Sequence, residues 1–325
     1  MHITILGGAG FLGQKVAARL ARDGLPDGRR VTSLTLFDLA APTVPEAAFL
    51  VHAIAGDLVD LPGTAIPEGT DIVFHLAAVV SAAAEADYEL GRRVNLRGTD
   101  AVIDACRKLA RPPRLVFTSS VASFSGGQAA RLEDDSRQLP ANSYGAQKAA
   151  AELLLSDASR RGFLDAVSLR LPTIVVRPGR PNQAASSFFS AIIREPLLGL
   201  GTVLPVPRDF AVWVASPRRA VEWLLHAATL DTAAMGLDRS ITPPGLSVTV
   251  AEMLAALDIV APGASALVRE ESDPRIASIV GEWPACFMPR RAETLGFTAH
   301  EGLEDLVRAF VADDLAATRQ DRLLQ

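Results

Sequence analysis

His2-Ile3-Thr4-Ile5-Leu6 runs directly into Gly7-Gly8-Ala9-Gly10-Phe11-Leu12-Gly13, and Gln14–Leu20 then repeats apolar residues at helical spacing. A short, β-branched apolar run reads as a strand buried on both faces. Strand, glycine turn and helix in immediate succession is the context that a phosphate-binding turn requires. Each glycine has its own reason to be there. Gly7 permits the tight turn, Gly10 lets the backbone approach a diphosphate, and Gly13 lets the helix pack closely on the sheet. Phe11 and Leu12 belong to the same turn and count with it as cofactor-binding, and the N-terminus of the helix that follows offers free N–H groups and a positive dipole end to the anion. The spacing is Gly-x-x-Gly-x-x-Gly rather than Gly-x-Gly-x-x-Gly. A flexible loop is the plain alternative, and the flanking strand and helix argue against it.

The following segments extend the same architecture. Ser33–Phe37 reads as a second strand ending at Asp38, where a carboxylate can accept hydrogen bonds from both ribose hydroxyls of an adenosine. The same charge repels a 2′-phosphate, which favours NAD over NADP. Ala53–Leu58 reads as a third strand running into a Gly56-Asp57 turn. Asp57 could reach an adenine amino group and Leu58 could pack on the ring, although such a turn needs no ligand. Asp71–Ala78 is a fourth strand; it closes on Leu76, Ala77 and Ala78, where small residues leave room for a cofactor against the backbone. His75, apolar on both sides, reads as a core histidine. Ser81, just beyond, is the better polar candidate. Asn95 opens a helical run, Asn95–Leu109, either as its cap or in a structural role beside the lysine discussed next. Arg114–Thr118 is a fifth strand, and Ser119-Ser120 at its carboxyl end point toward the crevice where α/β folds bind ligands.

Only two tyrosines occur in the chain, and one of them sits in Ser143-Tyr144-Gly145-Ala146-Gln147-Lys148. Residues four apart share a helix face. An ammonium beside a phenol favours the phenolate, which converts a group that ionises near pH ~10 into a general base. Ser120, Tyr144 and Lys148 could together address one hydroxyl or carbonyl.

Composition sets the limits on this reading. The chain has 325 residues, 49% hydrophobic and 21% charged, with net charge −5 and no basic tract, which disfavours nucleic acid. Cys106 and Cys286 are far apart and in no metal-type spacing. No apolar run is long enough to span a bilayer, and no basic leader precedes the first strand. These features fit a soluble, cytoplasmic protein with no metal.

In the second half, Ala166–Val175 reads as a sixth strand. It leads into Val176-Arg177-Pro178-Gly179-Arg180-Pro181-Asn182-Gln183-Ala184-Ala185-Ser186-Ser187, where polar groups sit on a proline-stiffened loop. Arg177 and Arg180 could grip a carboxylate or could be ordinary surface arginines, while Asn182 and Ser186 read as site residues. Phe188–Arg194 and Arg218–Leu230 read as helices, with a short extended edge at Val203–Pro207 between them. Trp213 reads as core. A strand and the start of a helix follow in Ser247–Leu257, and a terminal amphipathic helix in Leu303–Leu315.

The ordered set of glycine turn, Asp38, Asp57-Leu58, His75–Ala78, Asn95, Ser119-Ser120 and Tyr144-x-x-x-Lys148 resembles the extended short-chain dehydrogenase/reductase family. That resemblance implies a Rossmann-type, doubly wound parallel sheet with a smaller C-terminal α/β substrate lobe. Residues 1–170 would form the NAD-binding domain, with a later return of the chain around 205–235, and 171–325 mainly the lobe. It further implies that Ser120 orients the substrate and that Tyr144 is the acid/base. Lys148 would bind the nicotinamide ribose and lower the tyrosine pKa, with Pro172 also near the cofactor. The segment Arg177–Phe189, with Arg194-Glu195-Pro196-Leu197 and Leu204-Pro205-Val206, is similar to D-erythronate dehydrogenases. This implies NAD-dependent oxidation of a small sugar acid to its 2-oxo acid by a homodimer built on the helices of Asn95–Leu109 and Tyr144–Leu155. Ala215-Ser216 stands where the family usually has Asp-Asp, which weakens the rival reading of a nucleotide-sugar epimerase with retained NAD. A non-catalytic dinucleotide sensor is a remoter rival, since such proteins usually lose the base.

Overall fold

Apolar runs rich in Val, Ile, Leu and Phe make the strands, with charges mostly at their ends, and helices or polar turns separate them. In this computed structural model, which describes residues 1–127, 131–179, 186–299 and 302–323, the first strands are β1 (His2–Leu6), β2 (Ser33–Asp38), β3 (Leu50–Ala55), β4 (Ile72–His75), β5 (Arg114–Ser120) and β6 (Asp165–Leu171). They lie in one seven-stranded sheet, completed by Ser240–Ile241, in the order Ser240–Ile241, β6, β5, β4, β1, β2, β3. Pairing is parallel from β3 through β5 and between β6 and Ser240–Ile241. The order reverses at β1, with β2 and β3 on one side and β4 onward on the other. That reversal is the switch point at which doubly wound sheets open a crevice. The interleaved helices are α1 (Phe11–Asp23), α2 (Ser81–Ala86), α3 (Tyr88–Arg92), α4 (Gly98–Cys106) and α5 (Ser143–Arg160). α5 starts where the Asn142 side chain accepts the Gly145 N–H at 2.8 Å, an N-cap in front of an alanine-rich run. Leu6, Phe37, Val73, Val102, Phe117 and Leu155 are among the residues that pack between sheet and helices.

The chain divides into two units. The first contains Met1–Ser123, Asn142–Arg170 and Val221–Thr242, and so carries the whole large sheet apart from Leu171. The second contains Phe124–Ala141, Leu171–Ala220 and Pro243–Gln325. Within it, β7 (Thr173–Ile174) pairs parallel with β8 (Ala211–Ala215), which pairs antiparallel with β9 (Leu246–Thr249). Helix α6 (Ser187–Leu197) packs Phe189, Ile192 and Ile193 into a core shared with Val214, Met253 and Phe310. Trp213 belongs to the interior, its ring centroid 5.5 Å from that of Phe287.

Several elements differ from the reading of the sequence. The third strand begins earlier, at Leu50, and ends at Ala55, and Asp57, in the turn the sequence indicates, caps Leu58–Asp60. Ala166–Val175 is not one strand. It breaks at Pro172, which has no N–H for a ladder, so that β6 belongs to the large sheet and β7 to the second unit. The chain returns to the first unit at Val221–Thr242, later than 205–235, because β8 is committed to β7 and β9. Asn95 does not open a helix; it lies inside a wide π-type turn, Arg93–Arg97, between α3 and α4.

Candidate active site

The carboxyl end of β1 is shaped by two absent side chains. Gly7 has φ +93°, and a Cβ there would lie 2.6 Å from the Ala77 nitrogen. A Cβ on Gly13 would lie 2.0 Å from the Gly7 carbonyl oxygen. The turn is closed by Gly7 and Gly8 N–H groups donating to the Phe37 carbonyl and by Gly10 N–H donating to Gly7. Gly10 is the N-cap of α1, with no capping side chain and no acid in the first turn. The N–H groups of Phe11, Leu12 and Gly13 therefore meet an anion without competition from a protein carboxylate at that end of the helix.

A cavity of about 420 Å³ adjoins this turn, bordered by Gly7, Gly10, Asp38, Asp57, Leu58 and Ala77. Leu76 and Ala78 line it too. The size suits a small-molecule or cofactor site. Asp38 faces it with a fixed carboxylate, which accepts the Ala9 N–H at 2.9 Å and the Leu39 N–H at 2.7 Å. Asp57 accepts the Val59 N–H at 3.0 Å and pairs with Arg93 at 2.7 Å. The Val59 N–H, assisted by Arg93 and opposed by partial burial, holds its carboxyl below the ordinary range. A glycine cradle, an open helix N-terminus and a ribose-facing acid are what an adenine dinucleotide needs, so the residues fit such a group.

On the far side of the switch point, α5 carries Tyr144 and Lys148 one turn apart. Lys148 is 2% exposed, and its Nζ donates to the Thr118 carbonyl at 2.7 Å. The same nitrogen stands 4.4 Å from the Phe117 ring centroid and 5.6 Å from that of Tyr144. Burial pushes its pKa down to about 7, against a raising influence from Glu152. Ser120 ends β5, its Oγ accepting the Ala122 N–H at 3.1 Å.

Asn95 reaches the neighbourhood of the lysine from another direction. Its side chain accepts the Val79 N–H, donates to the Val79 carbonyl and donates to Gln147, the residue before Lys148, at 2.7 Å. His75 is interior, bonded through Nε2 to Thr99 Oγ1 at 3.0 Å. Thr99 already donates its hydrogen to the Asn95 carbonyl, so His75 must be the donor and carries its proton on Nε2. Burial first, and the nearby Lys148 second, push its pKa down to about 3. A neutral histidine locked in this way is a core group.

Similarity to known proteins agrees with this geometry. Residues 3–213 match the model of the NAD dependent epimerase/dehydratase family. The chain belongs to that family. It is 47% identical over 320 residues to a D-erythronate dehydrogenase of Cupriavidus necator, covering 96% of this chain and 98% of that protein. A D-erythronate dehydrogenase of Haemophilus influenzae is 38% identical over 319 residues, covering 97% of this chain and all of that protein. Among solved structures, one described as a nucleoside-diphosphate-sugar epimerase from Agrobacterium tumefaciens superposes with a TM-score of 0.92 at 45% identity, over 97% of this chain and 95% of the other. The protein is an NAD-dependent oxidoreductase of this family.

The remaining sequence candidates are distributed as follows. Ser81 is the first residue of α2, and Pro172 separates β6 from β7. In the second unit, Ser186 is buried at the N-terminus of α6. Arg177 donates through Nε to the Ile174 carbonyl at 3.0 Å, which ties part of its guanidinium to the backbone. Arg180 and Asn182 lie outside the described residues. Sequence reading passed over two groups beside the lysine, Glu152 and Arg170, and placed Ser119 in the crevice, whereas it is buried against Glu152. The Ser119 hydroxyl donates to Glu152, and Arg170 pairs with Glu152 at 2.8 Å. Arg170 was the available signal, because a lone charge inside an apolar strand demands a buried partner. No helix among the described residues is long and apolar enough to cross a membrane.

Proposed function

We propose that the protein oxidises the secondary alcohol of a small sugar acid, D-erythronate or a close analogue, to the 2-oxo acid. The observation that carries the reading is the lysine held by Thr118 beside the Tyr144 ring. Burial strips the Lys148 ammonium of water, so a phenolate one turn away becomes its natural counter-charge. Tyr144 then removes the hydroxyl proton of the substrate, and Ser120 holds that oxygen by a hydrogen bond. NAD, when bound, supplies the acceptor for the carbinol hydride. Two relatives of nearly the same length bear the name D-erythronate dehydrogenase, which supports the substrate class.

The test is NADH formation from a panel of four- to six-carbon aldonic and uronic acids, with D-erythronate expected to lead. Tyr144→Phe should lower kcat by about 10²-fold or more while leaving NADH binding intact. Near-normal turnover in that variant would remove Tyr144 as the base. The description of the Agrobacterium structure favours a second reading, epimerisation of a nucleotide sugar. Epimerisation returns the hydride, so net NADH release from a free acid separates the two. The reading includes a homodimer joined over α4 and α5, where Leu153 is 71% exposed and Leu154 is also exposed.

A further inference from the structure

Two successive residues at the end of β5 are tied to α5. The Thr118 carbonyl accepts Lys148 Nζ, the Ser119 hydroxyl donates to Glu152, and Ser120 carries the oxygen assigned above to the substrate. Glu152 lies one turn beyond Lys148 and two beyond Tyr144, so all three share one side of the helix. It is 2% exposed. Arg170 reaches it from β6, with Nε at 3.0 Å and Nη2 at 2.8 Å from Oε2. A buried carboxylate is costly unless it is paired and hydrogen-bonded, and here it is both. Packing alone would be served better by an apolar residue of the same size.

We propose that Glu152 is a positioning residue for Lys148. Held between Ser119 and Arg170, it registers α5 against the end of β5 and supplies the buried negative charge that the lysine ammonium faces. The groups around that ammonium are few. Glu152 and Tyr144 stand on its own helix, His75 on β4, and the Phe117 ring and the Thr118 carbonyl on β5, while Arg170 on β6 reaches Glu152. His75 is neutral and Arg170 is engaged with the carboxylate. While Tyr144 is a phenol, Glu152 is the anion among the described residues in this set that opposes the effect of burial on the lysine. The consequence for catalysis rests on the roles proposed above for Tyr144 and Lys148; the consequence for the lysine itself does not.

The chain has only three lysines, Lys15, Lys108 and Lys148, so ¹³Cε-lysine NMR of the cofactor-free protein can follow Lys148, assigned by its absence in Lys148→Met. Glu152→Gln should move the Lys148 titration midpoint down by about one pH unit, and Glu152→Asp should restore most of it. In the active enzyme, the ascending limb of the kcat/KM profile for oxidation should move up by about the same amount in Glu152→Gln. Ser119→Ala, which leaves both charges in place, should keep the NMR midpoint and lower kcat severalfold. Should Glu152→Gln fail to fold, the Glu152→Gln, Arg170→Met double variant is titrated against Arg170→Met alone, so that only the carboxylate differs between the two and the same downward movement is expected. A Lys148 midpoint that stays put without Glu152 overturns the electrostatic half of the proposal. Wild-type kcat in Ser119→Ala overturns the positional half. The titration uses neither substrate nor cofactor, so failure of Tyr144→Phe to lose activity would leave it standing.

Discussion

Replacing Gly13 by alanine tests the cradle by a clash that can be measured on the structure. The added methyl would sit 2.0 Å from the Gly7 carbonyl oxygen and 2.9 Å from its carbon. Restoring even a 3.0 Å contact requires α1 and the turn to part by about 1 Å. The obstacle is backbone, which cannot swing aside like a side chain. Overpacking of this kind costs about 1–3 kcal/mol, and backbone contact puts Gly13 at the upper end. Alanine recovers about 1 kcal/mol of helix propensity, which leaves a net loss of about 2 kcal/mol and a displaced turn. Gly10→Ala is the matched control. Its Cβ meets only the Gly7 oxygen, at 3.2 Å, and its φ of −71° and ψ of 160° suit any residue. Gly10→Ala should therefore keep the apoprotein stability within about 0.5 kcal/mol. It should still weaken NADH binding at least tenfold, about 1.4 kcal/mol, by placing a methyl where the diphosphate meets the backbone. Urea unfolding followed by circular dichroism reads the first quantity, and NADH fluorescence titration the second. Gly13→Ala protein with the wild-type midpoint would refute the packing argument. Wild-type NADH affinity in Gly10→Ala would refute the close approach.

Two further outcomes follow from features away from the turn. His75 has a folded pKa near 3 against 6.5 in the unfolded chain, so on acidification the unfolded state takes up the proton first. Stability should fall as pH drops below 6.5, by up to about 1.4 kcal/mol per unit; His75→Gln should flatten this between pH 6.5 and 5.5 in urea melts, and an unchanged slope would exclude His75 as its source. Light scattering should give twice the 34.3 kDa chain mass, and Leu153→Glu should halve the value; a monomeric wild-type protein would end the dimer reading.

The first half of the molecule was legible because its chemistry is local. Gly7, Gly10 and Gly13 announce their turn through spacing between a strand and a helix, and Asp38 is conspicuous because it ends a strand. Tyr144 and Lys148 are neighbours by helical pitch. What sequence could not show depends on partners distant along the chain. Glu152 looks like a solvated helix residue until Arg170, from another strand, is seen to meet it. Asn95 looks like a helix cap because α3 and α4 are joined through a wide turn that periodicity does not register. The apolar run through Pro172 hid a change of sheet, since hydrophobicity is the same on either side of the break.

Helix α5 also acts as a ruler. Tyr144, Lys148 and Glu152 mark off two turns, about 12 Å along its axis, and the last two marks are met by successive residues of β5, Thr118 and Ser119. Inserting or deleting one residue between the first mark and the last would rotate the residues beyond it by about 100°. Thr118 and Ser119 could not both keep their partners. The stretch 144–152 is therefore intolerant of any change in length, whatever residues are used. The turn after the helix, where Gly162 adopts φ +73° with open space around it, is free of that constraint. Variation in length among chains built this way should gather at such places and leave the ruler uncut.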